Sequence, residues 1–336
     1  MPRGRRSRID GEQGSYHIIT KTVFDDDMKR YFTDNEKEYF LKLLMRLSRG
    51  FYVKIHSFSI MSNHYHLLAN EESDKCLKAS GDELLKRYKT IYGKDKLPPS
   101  GSQNPDGSID PDDDAGIQRL RNRLGDISRF VQELNQSFTR FYNKTRKRKG
   151  SLWRERFKGV TVDRGDGELS VSAYIDLNPI RAGLVKKPED YRWCGLGHQA
   201  RTGKSEENFL KPLLIEHDLN NGLVLGSIEK QGREMAVEEL DFSFYRLFVY
   251  LSGGIEKQNT GKIPSYLVES VVKYHGQLGI GEKLKWRIRN FSEGLSIGSK
   301  SFIGEVQRAG NCKFIRPRKV LGDMLYSTRH LRWKPD

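Results

Sequence analysis

Cysteine is scarce in this sequence: Cys76, Cys194 and Cys312 are the only three, and they lie far apart. None forms a CxxC pair, which argues against a structural zinc site. An odd, scattered set suits a reducing cytosol rather than a disulfide framework. Long apolar runs are also missing. None approaches the ~20 residues of a membrane-spanning helix, and the opening Met1-Pro2-Arg3-Gly4-Arg5-Arg6 lacks the apolar stretch of a signal peptide. A cytoplasmic protein without a membrane partner is expected. Acidic excess is the third absence. The 59 Lys and Arg outnumber 44 Asp and Glu, leaving a formal charge of +15. That balance points to a polyanionic partner such as nucleic acid, because neutralising phosphates releases counterions.

The 336 residues are enough for two domains, and no internal repeat is present. Residues 1–13 read as a loose basic arm. Tyr16 to Phe24 is aromatic and β-branched and predicts a strand. Asp34 or Asn35 caps a helix through about Leu47, with Tyr39, Phe40, Leu43, Leu44 and Leu47 at helical spacing. Phe51–Ile60 and His64–Ala69 predict two more strands joined by a turn at Ser62-Asn63. Residues 92–116, rich in Pro and Gly with the run Asp112-Asp113-Asp114, read as a flexible acidic insertion. One long amphipathic helix is predicted from Ile117 to Lys147, a fourth strand over Leu152–Val162, and a further helix from Asp166 or Gly167. This order suits an α+β sandwich of one antiparallel sheet with helices on a single face. Residues 206–336 read as a second, mainly helical basic region, with helices over Arg233–Leu251 and Pro264–His275. From Lys273 onward it holds fourteen Lys and Arg against five Asp and Glu.

The candidate chemistry begins with Ser62-Asn63-His64-Tyr65-His66-Leu67-Leu68. On a strand, i and i+2 share a face, so His64 and His66 stand side by side while Tyr65 points away. Paired imidazoles can hold a divalent metal or a phosphate; a pair of solvated edge-strand histidines has the same spacing. The second segment is Ala173-Tyr174-Ile175-Asp176-Leu177-Asn178-Pro179. Tyr174 and Asn178 are four apart on one helix face, and Pro179 sets Asn178 at the helix end or a kink. A nucleophile and a third metal ligand fit this spacing, and so do a core tyrosine and an amide cap.

Ser-Asn-His-Tyr-His-Leu-Leu, the segment Gly150-Ser151-Leu152-Trp153-Arg154-Glu155-Arg156-Phe157-Lys158, and Tyr-Ile-x-x-Asn-Pro-x-x-x-Gly-x-Val follow one another in order. With the opening Tyr16-His17-Ile18 and the trailing Pro188 to Trp193, they resemble the REP-associated tyrosine transposases of the HUH superfamily. The resemblance covers roughly residues 14 to 200 and defines an expected catalytic domain, 14–205. It implies a ferredoxin-like (RRM-like) fold and a metal-dependent endonuclease acting on single-stranded DNA beside palindromic hairpins, often as a homodimer. By position it makes Tyr174 the nucleophile that takes a 5′ phosphate. It makes His64, His66 and Asn178 the ligands of Mg²⁺ or Mn²⁺. The acidic insertion and the length beyond residue 208 depart from the minimal transposase.

Basic residues gather beside this candidate site. Ten Lys and Arg against two Asp and Glu lie between Arg140 and Arg164. Arg146, Lys147, Arg148, Lys149, Arg154, Arg156 and Lys158 are the expected DNA contacts. Trp153 and Phe157, interleaved with them, serve either as stacking platforms for bases or as core. His17 could approach the metal site from the first strand, although a core or surface position is favoured. Two competing functions remain: a sequence-specific nucleic-acid-binding protein derived from a nuclease, and a phosphodiesterase that uses water with no covalent intermediate. A mere binder has no need of His64, His66, Tyr174 and Asn178 together, which favours the enzyme.

Overall fold

The computed structural model describes residues 14–24, 31–93, 114–202, 208–218, 222–223, 235–255, 260–272, 296–310, 318–321 and 325–328. Most of the expected insertion at 92–116 lies outside them, as do the basic arm and much of the basic stretch from Lys273 onward.

The first half runs β1 (Gly14–Lys21), α1 (Asp34–Gly50), β2 (Val53–Ile60), β3 (His64–Glu71), α2 (Ser73–Lys78), α3 (Gly81–Tyr92), α4 (Asp114–Leu124), α5 (Ile127–Thr145), β4 (Lys158–Asp163), α6 (Asp166–Asp176), α7 (Asn178–Arg181) and α8 (Gly195–Thr202). Strands β2, β3, β1 and β4 lie in that order and pair antiparallel throughout. The α+β class expected from the sequence is what the chain adopts. Local signals place several boundaries differently. The cap of α1 is Thr33, whose hydroxyl accepts the Glu36 N–H while the Glu36 carboxylate accepts the Thr33 N–H, so both orphan donors are satisfied. The expected single helix over 117–147 is two. Gly125 breaks it, and the Asp126 carboxylate restarts it by accepting from Ser128 and Arg129 N–H. The fourth strand starts at Lys158 rather than Leu152. Before it, the chain crosses the end of β1, with Trp153 bridged to Thr22 and Arg154 N–H donating to Lys21 O.

Helices cover both faces of the sheet, not one. Ile18, Tyr65, Leu67 and Ala69 face a core built with α1, α3, α4 and α5, through Phe40, Leu44, Phe130, Leu134 and Phe138. Leu68, Val160 and Val162 face a second core, with Leu169, Val171, Ala173 and Ile175 of α6 and Phe248 and Val249 further on. Helix α6 is buried nearly all round, so its sequence carries no single apolar stripe to reveal where it docks.

Beyond residue 206 the described chain is mixed rather than mainly helical. It contains β5 (Leu214–Asp218), β6 (Gly222–Leu223), β7 (Met235–Glu239), α9 (Phe242–Gly254), α10 (Ser265–Val272), β8 (Ser296–Gly298), α11 (Lys300–Gly310), β9 (Arg318–Leu321) and β10 (Leu325–Thr328). The helix expected from Arg233 is strand β7 in its first part, because β5 offers Met235–Glu239 an antiparallel partner. Strand β8 runs parallel to β4 and extends the sheet to the order β2-β3-β1-β4-β8-β10-β9. The expected boundary at 206 is therefore bridged by backbone pairing and by a shared core. Arg181 donates to Ser252, Ile255 and Gly261 carbonyls, and a Cβ at Gly261 would stand 2.0 Å from Ile180 O. Only glycine permits that approach.

Candidate active site

The antiparallel register of β1 and β3 sets His17 opposite Leu68, Ile19 opposite His66 and Lys21 opposite His64. All six project from the face that α6 covers. On β1's other flank, Lys158 pairs with Ile19 and shares this face. The His64 and His66 rings lie 5.2 Å apart, as their spacing predicts. Tyr174 reaches His66 and His17 from α6, its ring 5.8 Å from that of His66 and 5.7 Å from that of His17. The structure thus brings together residues separated by more than a hundred positions in the chain.

Polarity falls off sharply within this cluster. His17 is fully buried and His66 is 4% exposed, whereas His64 and Tyr174 are half-buried. Burial, then the neighbouring His64, His17 and Lys21, push the His66 imidazole well below its usual range. It is neutral at pH 7 and keeps a lone pair for a ligand. His17 Nε2 lies 3.0 Å from His66 Nδ1, and His64 Nδ1 lies 2.7 Å from Asn63 Oδ1.

Asn178 sits where α6 gives way to α7, and its amide nitrogen donates to Tyr174 O and Ile175 O at 3.2 Å each. The amide caps the helix end, and this orientation leaves Oδ1 as the atom that can accept. No group of three or more His, Cys, Asp or Glu among the described residues is arranged to hold a metal. Any ion here would draw on the two histidines and an oxygen donor of another type.

The expected DNA contacts divide. Arg146 is an internal brace: it pairs with Glu36 at 2.7 Å and donates to Tyr31 O. Burial alone would raise the Glu36 carboxyl, but Arg146 and Thr33 outweigh it and hold it below the usual range. Arg148 bonds Asn143 Oδ1 and Ser151 O and lies over the Phe24 ring. Lys147, Lys149, Arg154, Arg156 and Lys158 are exposed. Trp153 takes the core role of its two readings, with Nε1 donating to Asn135 O and its ring packed against Tyr65 and Phe138. Phe157 is also packed against the core. Tyr191 and Trp193 brace the end of β2, Tyr191 donating to Ile60 O while Lys37 lies over both rings.

His17, for which the sequence favours a core or surface position over an approach to the site, is both buried and within 3.0 Å of His66. The alternation along β1 puts it on one face with Ile19, but which neighbour it meets depends on a register the sequence does not state.

No family model and no curated protein matches this chain. A solved structure of a REP-associated tyrosine transposase bound to a REP hairpin is similar over 67% of this chain and 98% of its own, with 13% identity and a TM-score of 0.37. The likeness is distant. Among the described residues, no helix is long and apolar enough to cross a membrane.

Proposed function

We propose that this protein is a DNA nickase and strand transferase that cuts single-stranded DNA beside hairpins through a 5′-phosphotyrosine at Tyr174. The observation that carries the proposal is the placing of Tyr174 against His66, its ring 5.8 Å from that imidazole, with His64 a further 5.2 Å along the strand face and His17 on the other side. A core tyrosine does not need two imidazoles beside its ring. The strand order β2-β3-β1-β4 with one helix after β1 is that of a ferredoxin-like sandwich, and its second face carries the nucleophile helix.

The donor set fits a divalent ion: neutral imidazole at His66, a second imidazole at His64, and the Asn178 amide oxygen. Mg²⁺ or Mn²⁺ bound there would supply positive charge for a non-bridging phosphate oxygen and the departing 3′ oxygen. Histidine ligation favours Mn²⁺ over the more strictly oxygen-seeking Mg²⁺. In the step itself, Tyr174 Oη forms a bond to phosphorus, the P–O3′ bond breaks, and the tyrosine proton ends on the 3′ hydroxyl. A phenol with a pKa of about 10 is a weak nucleophile, so charge placed near it is what the site must provide. The phosphotyrosine conserves the energy of the cut bond, and a 3′ hydroxyl can reverse the step to join strands. Exposed Lys147, Lys149, Arg154, Arg156 and Lys158 would hold the strand backbone, and an unpaired base can be splayed where a duplex base cannot.

The test is incubation with a hairpin carrying a single-stranded flank, with Mn²⁺, followed by a denaturing gel. The native protein should give a covalent adduct that EDTA abolishes, with little on perfect duplex. Tyr174→Phe should bind the hairpin but give no adduct. An adduct in that variant, or cutting without any adduct, would overturn the reading, the latter in favour of water as nucleophile.

A further inference from the structure

His64 and His66 each have Nδ1 engaged by a neighbour, and the two neighbours come from different elements. Asn63 belongs to the turn before β3, and its backbone carbonyl accepts the Thr22 N–H at 2.8 Å. That tie holds the turn against the end of β1. Its side-chain Oδ1 lies 2.7 Å from His64 Nδ1. An amide oxygen only accepts, so His64 donates from Nδ1. His17 stands in the middle of β1, paired with β3 on one side and β4 on the other, and is fully buried. Its Nε2 is 3.0 Å from His66 Nδ1. One hydrogen lies on that line. If His17 donated it, the other nitrogen of a neutral His66 would carry the ring proton and offer no lone pair.

We propose that Asn63 and His17 are positioning residues that hold His64 and His66 in the Nδ1–H tautomer, so that both imidazoles offer Nε2 from one sheet face. This rests on the metal reading above. It explains why a histidine is sealed in the middle of β1: there it accepts the His66 Nδ1–H, as the partners behind metal-ligating histidines usually do. It also gives the two ligating nitrogens matched chemistry although one ring is buried and the other half-exposed.

Two measurements on the full chain test it. Long-range ¹H–¹⁵N spectra of the metal-free protein at pH 7.5 should show His64 and His66 with protonated Nδ1 and bare Nε2. Calorimetric titration with Mn²⁺ should show His17→Leu binding about 10–100-fold more weakly than native. His17→Gln, whose side-chain oxygen can accept near the lost Nε2, should recover most of that loss. Circular dichroism checks that each variant is folded. An Nε2–H tautomer at His66 would overturn the proposal. So would native-like Mn²⁺ affinity in folded His17→Leu, or a folded His17→Gln no better than His17→Leu. A native protein with bare Nε2 atoms that binds no Mn²⁺ would instead sink the metal reading and leave the positioning intact. If His17→Leu does not fold, the tautomer spectrum and His17→Gln decide.

Discussion

On the face covered by α1 and α5, strand β3 contributes Tyr65, Leu67 and Ala69 to a core of interlocked aromatic rings. On the face covered by α6, the same strand contributes His64, His66, Leu68 and Asn70, and β1 adds Ser15 and His17. Ser15 donates to the buried Glu168 carboxylate, and Ser57 of β2 donates to the fully buried Asp176. One face is close-packed and apolar; the other sets buried polar groups, several held by named partners, among the apolar side chains of α6. Shifting one residue along a strand exchanges them. The difference teaches where stability and chemistry reside: apolar contact area holds the first face, and hydrogen-bond geometry organises the second.

Truncation on the apolar face should give the largest effect on stability. Phe130 is fully buried and packs edge-on against Phe51 at 5.5 Å. Phe130→Ala should lose about 3–5 kcal/mol in urea denaturation, the range for emptying a core aromatic site. The adduct yield per folded molecule should stay at the native level. A specific loss of adduct formation would break the division between the faces.

On the polar face, Asp176 accepts from Tyr245 Oη, Leu196 N–H and Ser57 Oγ. Burial nonetheless raises its carboxyl from 3.8 to about 6. A carboxyl whose folded pKa lies above its unfolded one contributes stability that is fully present below about pH 3.8. That contribution is lost as pH rises through about 6. Asp176→Asn should therefore lack this pH dependence. The native-minus-variant difference in stability should change by about 2 kcal/mol between pH 4 and 7, most of the ~1.4 kcal/mol per pKa unit that the shift carries. A flat difference across that range would mean Asp176 is hydrated rather than sealed.

The smallest effect separates braces from contacts within one basic run. Arg146→Ala should destabilise by about 1.5–3 kcal/mol, as for hydrogen bonds to a charged group, and leave the salt dependence of hairpin binding nearly unchanged. Lys147→Ala with Lys149→Ala should do the reverse, lowering the slope of log affinity on log salt by about 0.7 for each lysine that meets a phosphate. Equal slopes for the two variants would place the DNA elsewhere.

Much of the first half is legible in the sequence, because its signals are local. Alternation along 64–69 fixes which side chains share a face, helical spacing fixes α1, and Pro179 ends the helix that carries Tyr174. The His64–His66 pair and the Tyr174–Asn178 spacing follow from the geometry of one strand and one helix. Other features are set by partners distant in the chain. Arg146 and Lys147 look alike in sequence, yet only one finds a buried Glu36 across the fold. Met235–Glu239 becomes strand because β5 is beside it. The docking of α6 on the second face, the bridging of residue 206 and the encounter of His17 with His66 depend on strand register and helix packing. Both arise from the free energy of the whole buried interior, to which no short stretch of sequence holds the key.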